Sequence, residues 1–322
     1  FSERQGSVNR EEVIRIFSVK IRKILRKQEE HLEEWEEIRL RTGQPLEVIC
    51  RGKRIYLSED GEASGWEMAY RVCGEDIRET LEYISRYSLY AFSEEVRQGF
   101  LTIPGGHRVG AAGHVIRERD GVRGISPIAF LNIRLAHQIC GAADAVLPFL
   151  WEDHRLGHTL ILSPPGLGKT TLLRDIIRQI SNGYRTERPL TIGVVDERSE
   201  IAACSGGVPQ NDVGRHTDVL DTCPKAEGVR MLLRSMSPHV IAMDEVGCED
   251  DMEALSESIG SGCTLLATVH AVSMEDLKRR PVLSHLVERR LFERYVTLAR
   301  RNGHVGWNVR RADGTVLGEG LR

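Results

Sequence analysis

Ser163-Pro164-Pro165-Gly166-Leu167-Gly168-Lys169-Thr170-Thr171 is the stretch on which the fold turns. Before it, Thr159–Leu162 is a short apolar run of strand type. After it, Thr170–Ile180 carries apolar residues at helical spacing and stops at Asn182-Gly183. Small residues in such a loop let successive backbone N–H groups curl around phosphate oxygens at a helix N-terminus. The Lys then neutralises β- and γ-phosphate charge, and the Thr hydroxyl holds Mg²⁺. Gly168-Lys169-Thr170 is intact, whereas Ser163 stands where the pattern G-x-x-x-x-G-K-[ST] opens with Gly; a small residue still fits that turn. A chance Gly/Pro turn would account for the glycines but not for the Lys-Thr-Thr beyond them. Residues 163–171 therefore read as a binding loop for ATP, with Mg²⁺ at Thr170.

Working outward, Thr191–Val195 is a strand ending in Asp196-Glu197, Val240–Met243 ends in Asp244-Glu245, and Leu265–Val269 ends in His270. Helical patterns lie between them, at 225–236 and 249–260. Short buried strands alternating with helices make a parallel α/β sheet, and such sheets bind ligands beyond the strands' C-terminal ends. Asp244-Glu245 falls where a Walker B motif belongs. Asp244 would complete the Mg²⁺ shell and Glu245 would polarise the attacking water. Two acids after a strand are commonplace, and only the phosphate loop lifts this pair above a solvated strand end. The acids of Asp196-Glu197-Arg198-Ser199-Glu200 make sense beside a triphosphate if Mg²⁺ or the water sits among them; otherwise they are a charged loop. His270 reads equally as a γ-phosphate sensor or as a satisfied structural histidine. Phosphoryl transfer also asks for a cation on the γ-phosphate. Arg39, Arg41, Arg97, Arg108, Arg134, Arg198, Arg215 and Arg234 are all available, and spacing does not choose among them.

The chain has 322 residues and a formal net charge of −3, with 41% hydrophobic and 28% charged residues. This is a globular balance that suggests two domains at about 150 residues each. Residues 1–140 read as a small α+β domain: a helix over 11–35, strands within 36–57, a helix at 74–90, and Gly-rich strands between Gly99 and His114. Residues 141–158 read as a linker, and 159–322 as the α/β domain. Two basic arms, Arg15–Lys27 and Lys278–Arg311, are expected to be solvated helix faces rather than nucleic-acid contacts. Seven cysteines, none in a Cys-x-x-Cys pair, argue against a disulfide framework and for a reducing compartment. No apolar run approaches the roughly 18 residues a spanning helix needs, and no secretory leader pattern is visible.

The run Leu233-Arg234-Ser235-Met236-Ser237-Pro238-His239-Val240-Ile241-Ala242-Met243-Asp244-Glu245 resembles the Walker B region of the type II/IV secretion ATPases. Asp196–Glu200 is similar to their Asp box, Leu265–Ala271 to their His box, and Glu37–Pro45 to the opening of their N-terminal domain. Tyr87–Phe92, Gln98–Gly110, Val195–Ala202 and Pro209–Gly214 look, more narrowly, like the stage III sporulation AA branch of that group. The resemblance implies a RecA-like ATPase core with a smaller N-terminal α+β domain. It also implies a homo-oligomer, a hexamer, working at the cytoplasmic face of a membrane channel during endospore formation, with an integral membrane protein as partner. In the family, N-domain arginines reach the nucleotide; by position these are Arg108 and Arg134. Glu245 would position the water, assisted by Glu197 or Glu200, with His270 sensing the γ-phosphate. Asp244 stands where pilus motors usually have Gly, and the tetracysteine zinc insert of many assembly ATPases is absent. Two other readings of the residues stay open: a nucleic-acid-handling ATPase using the basic arms, and an ATP-binding scaffold with little turnover.

Overall fold

Helix and strand identity follow the local periodicity, and the caps decide where each element stops. A computed structural model describes residues 10–85, 101–118, 121–185, 187–301 and 303–321. The chain divides into two compact units, Arg4–Gln138 and Ile139–Arg322.

The helix expected over 11–35 is three pieces: α1 (Arg10–Arg15), α2 (Val19–Arg26) and a 3₁₀ segment (Glu29–Glu34). Ser18 causes the first break. Its hydroxyl accepts from Ile21 N at 3.3 Å, the N-cap geometry that starts a new helix. Strands β1 (Trp35–Arg41), β2 (Glu47–Cys50), β3 (Lys53–Ser58) and β4 (Gly61–Glu62) follow, then α3 (Gly74–Ile84). Next come β5 (Leu101–Ile103), β6 (His107–Glu118) and β7 (Gly121–Arg134). The sheet is antiparallel in the order β4-β3-β2-β1-β7-β6-β5. Ile21 and Leu25 of α2, Phe17 in the break before it, and Ile38, Leu40, Val48 and Ile133 from the sheet form its core. Tyr87–Phe92, Arg97 and Gln98–Phe100, with the end of the helix expected over 74–90, lie outside the described residues.

Residues 141–158 are not a free linker. Ala143, Val146, Leu147, Leu150 and Leu156 are buried in the second unit's core, and Ala143 N donates to Asp175 Oδ2 at 2.8 Å. The Gly and Pro that suggested a linker instead shape a short 3₁₀ turn (Leu147–Leu150) and a small ribbon, β8 (Trp151–Glu152) and β9 (Arg155–Leu156).

The remaining elements are β10 (Thr159–Leu162), α4 (Lys169–Asn182), β11 (Ile192–Asp196), β12 (Thr217–Asp221), α5 (Lys225–Ser235), β13 (Val240–Met243) and α6 (Glu249–Gly260). They continue with β14 (Thr264–Val269), α7 (Met274–Arg279), α8 (Pro281–Glu288), β15 (Arg294–Arg301), β16 (His304–Arg311) and β17 (Val316–Leu321). The sheet order is β12-β11-β13-β14-β10-β15-β16-β17, parallel as far as β15 and antiparallel beyond it. α4 covers one face through Leu172, Leu173, Ile176, Ile177 and Ile180. Each of these contributes roughly 1.5–3 kcal/mol of burial. α5, α6, α7 and α8 cover the other face. The second unit is thus an α/β, RecA-like core, and the first is a smaller α+β unit. The basic arm Lys278–Arg311 is not one helix face: Tyr295, Val296 and Leu298 are buried in the sheet. Arg294 is buried with them, donating to Glu152 Oε2 at 2.5 Å and to Phe149 O at 3.0 Å.

Candidate active site

Because β10, β11, β13 and β14 are parallel, their C-terminal ends share one edge, and the loops that follow them converge there. β10 opens into residues 163–168. Ser163 is fully buried, which explains why only a small residue suits it. Gly166 and Gly168 have φ of 76° and 83°, left-handed values that a side chain would oppose, and Gly168 caps α4. Leu172 N makes the first intrahelical bond, to Gly168 O at 2.9 Å, so the N–H groups of Lys169, Thr170 and Thr171 precede any helical acceptor. They form the donor row an anion would use.

Lys169, 5% exposed, reaches across to the end of β13. Its Nζ donates to Asp244 Oδ1 at 2.6 Å and to Glu245 Oε1 at 3.2 Å. Thr170 Oγ1 donates to Asp244 Oδ2 at 2.5 Å, and Thr268, on β14, donates to Oδ1. Burial alone would raise the Asp244 carboxyl. The charge of Lys169 and the hydrogen bonds from Lys169, Thr170 and Thr268 outweigh it and hold the group below the usual carboxylate range. Glu245 follows the same logic: burial raises it, Lys169 pulls it further down, and His270 adds to the pull. His270 Nε2 donates to Glu245 Oε1 at 2.7 Å, and Arg198 Nη1 donates to Oε2 at 2.5 Å. Glu245 has φ of 55°, in the left-handed region. That costs roughly 1–2 kcal/mol for a residue with a side chain.

Asp196 ends β11 but faces inward, 1% exposed. Its Oδ1 accepts from Glu200 N at 2.8 Å, and its Oδ2 from Ile201 N at 3.0 Å and Ala202 N at 2.8 Å. Burial raises this carboxyl, and the three amide donors only partly offset it. Asp196 thus shapes the loop that presents Glu197, Arg198 and Glu200. Arg174 of α4 fastens the same loop, donating to Glu200 O at 2.6 Å and Ile201 O at 2.5 Å.

The structure brings Lys169, Thr170, Asp244, Glu245, His270 and Glu200 together. Carboxylate oxygens of Glu200, Asp244 and Glu245 lie within 4.8 Å of one another. Hard oxygen donors from a hydroxyl and clustered carboxylates suit Mg²⁺, so the residues present fit that ion. Glu197 points elsewhere, to an ion pair with Lys225. Lys225, 8% exposed, also lies 3.7 Å from Asp251. A Lys at the first position of a helix opposes the helix dipole, and that was the available signal for it. Arg174 and Thr268 carried no such signal. Arg108 and Arg134 face each other across β6 and β7 in the other unit, where Arg134 Nε lies 3.2 Å from Glu37 Oε1.

Comparison with known proteins bears on this arrangement. The profile of the family described as "Sporulation stage III, protein AA" matches residues 7–310. Stage III sporulation protein AA of Bacillus subtilis (strain 168) is 47% identical over 270 residues, 84% of each chain. The chain belongs to the stage III sporulation protein AA family. Among solved structures, the pilus retraction motor PilT, with bound ADP, superposes with a TM-score of 0.57 at 16% identity, covering 89% of this chain and 82% of that one. The Legionella pneumophila ATPase DotB gives a TM-score of 0.52 at 15% identity, covering 90% and 80%. The chain therefore shares its fold with PilT and DotB. No helix among the described residues is long and apolar enough to cross a membrane.

Proposed function

We propose that this family member is a MgATP-hydrolysing motor that energises assembly of, or transport through, a membrane-associated channel complex during endospore formation. The observation that carries the reading is the meeting of Lys169 and Thr170 with Asp244 and Glu245 at one sheet edge. Residues 163–171 hold the triphosphate, with the amides of the first helical turn and Lys169 on its oxygens. Thr170 and Asp244 hold Mg²⁺, which when bound spreads the charge of the β- and γ-phosphates. Glu245 accepts a hydrogen bond from the attacking water and aims it. The water oxygen bonds to the γ-phosphorus as the β–γ bridging bond breaks, and ADP leaves. Inorganic phosphate keeps one water proton, and the other passes by way of Glu245 to solvent. Glu200 assists at the carboxylate cluster, and Glu197 through the loop it shares. His270 steadies Glu245 and senses the γ-phosphate.

In the same proposal the working form is a homohexamer at the cytoplasmic face of the membrane, docked on an integral membrane protein. Arg108 and Arg134 serve a nucleotide held by a neighbouring chain. The fold shared with PilT and DotB supports the motor reading. The test is Mg²⁺-dependent ATP hydrolysis per chain over a range of protein concentrations, beside Glu245→Gln. Specific activity that climbs with concentration and vanishes in the variant is the expected result. Constant specific activity would place every catalytic group within one chain. ATP binding with no turnover at any concentration would sink the motor and leave a scaffold.

A further inference from the structure

Arg198 sits on the loop after β11, and the reading above gives it no task. Yet it shares a carboxylate with the phosphate-loop lysine: Arg198 Nη1 donates to Glu245 Oε2 at 2.5 Å while Lys169 Nζ donates to Oε1 at 3.2 Å. The two cations are thus separated by the width of a single anion. Its side chain is 63% exposed, so the anion rather than packing holds the guanidinium there. Its base is fixed, because Asp196 and Arg174 fasten the backbone that follows it. A second carboxylate, Glu200, lies 3.8 Å from Nη2.

We propose that Arg198 is a catalytic arginine supplied by the same chain that holds ATP, parked on Glu245 until the γ-phosphate takes that carboxylate's place. The proposal rests on the ATPase reading and names how the site tells ATP from ADP. Lys169 must turn from Glu245 to the phosphates when nucleotide enters. A cation that shares an anion with Lys169 is within reach of the anion that replaces it. A phosphate carries more charge than a carboxylate and offers the paired oxygens that a guanidinium fork prefers. The same exchange frees Glu245. With Lys169 and His270 on Oε1 and Arg198 on Oε2, the carboxylate is committed on both oxygens. Once Arg198 leaves, Oε2 can accept from water. Recognition of the γ-phosphate and availability of the water-aiming carboxylate become a single event, and ADP, lacking that phosphate, leaves Arg198 parked.

The test is calorimetric binding of ADP and of a non-hydrolysable β,γ-imido ATP analogue, with Mg²⁺, to the full chain and to Arg198→Ala and Arg198→Lys. In Arg198→Ala the analogue is expected to weaken by about tenfold or more, the loss of a charged hydrogen bond, while ADP stays within about twofold. Turnover should fall on the order of 10³-fold, and Arg198→Lys should recover part of the affinity but little of the rate. Equal losses for both nucleotides, or an unchanged analogue affinity, would overturn the proposal and leave the ATPase reading standing. If the unaltered chain binds neither nucleotide, the ATPase reading fails and takes this inference with it.

Discussion

The backbone N–H of Glu245 donates to Thr268 Oγ1 at 2.9 Å, and the same hydroxyl donates to Asp244. One fully buried threonine of β14 therefore fixes both acids that end β13 and satisfies the left-handed backbone at Glu245. Thr268→Val keeps the shape and removes both bonds. It should cost about 1–3 kcal/mol in urea unfolding, because the Asp244 carboxylate loses a hydroxyl donor and the Glu245 amide is left with Asp244 Oδ1, at 3.0 Å, as its remaining acceptor. Hydrolysis should drop as well, with Lys169 and Thr170 untouched. A neutral effect on both would mean the hydroxyl is incidental.

Removing Lys169 should be felt in stability as well as in binding. Asp244 has its folded-state ionisation depressed, so it contributes stability above the ordinary carboxylate range, and loses it as pH falls through the lowered value. Lys169→Ala takes away the countercharge of a buried acid, at a cost of about 3–5 kcal/mol near neutrality. The gap from the unaltered chain should begin to narrow above about pH 4, where burial lets the unpaired acid take up a proton, and go on narrowing below it as the unaltered chain loses its own ion pair. A gap independent of pH would show that Lys169 acts by packing alone.

In the N-terminal unit, His107 is 1% exposed and accepts from Ala136 N at 2.9 Å through Nδ1. Burial, helped by His137, pushes it down to about 4 from 6.5. The unfolded chain takes up this proton below 6.5 and the folded one only near 4, so this unit loses stability as pH falls across that window. The loss is about 3 kcal/mol. Hydrogen-exchange protection of peptides within 101–118, taken relative to the intrinsic exchange rate at each pH, should fall on acidification. His107→Asn, which keeps an acceptor for Ala136 N, should flatten this response; an unchanged profile would assign the sensitivity to other groups.

Lys225 is buried against Glu197 and Asp251. Its burial would lower its ionisation range, but Glu197 and then Asp251 reverse the sign and raise it. Lys225→Met should destabilise the second unit by about 1–3 kcal/mol, since Asp251 is buried but keeps its amide donors and the Glu197 carboxylate reaches solvent. Adding Glu197→Gln should recover part of the loss, with a coupling of about 0.5–3 kcal/mol in a double-mutant cycle. Strict additivity would mean the pair is decorative.

Strand, loop and helix around 163–171 were legible because the chemistry of a phosphate loop and the change of period coincide there. Asp244, Glu245 and His270 were legible as strand-end residues, since apolar runs of four to six residues stop at them. β12 and β15–β17 were not. β12 is half-exposed throughout, so its sequence shows no buried run, and β15 and β16 carry arginines that masked their alternation. The burial of 141–158 escaped for a related reason: turn residues there announce a bend without saying what the bend packs against. The role of Asp196 was invisible because its partners are backbone amides, which every sequence has.

Lys225 begins a helix that would rather have an acid there, and two carboxylates from other segments make it tolerable. Inheritance should bear the mark of that arrangement. Where a relative has lost the cation at this position, the acids matching Glu197 and Asp251 should have changed with it. The path between the two versions should run through intermediates that fold poorly. The triad would then be a ratchet on the lineage, keeping its members alike at three places that lie far apart along the chain.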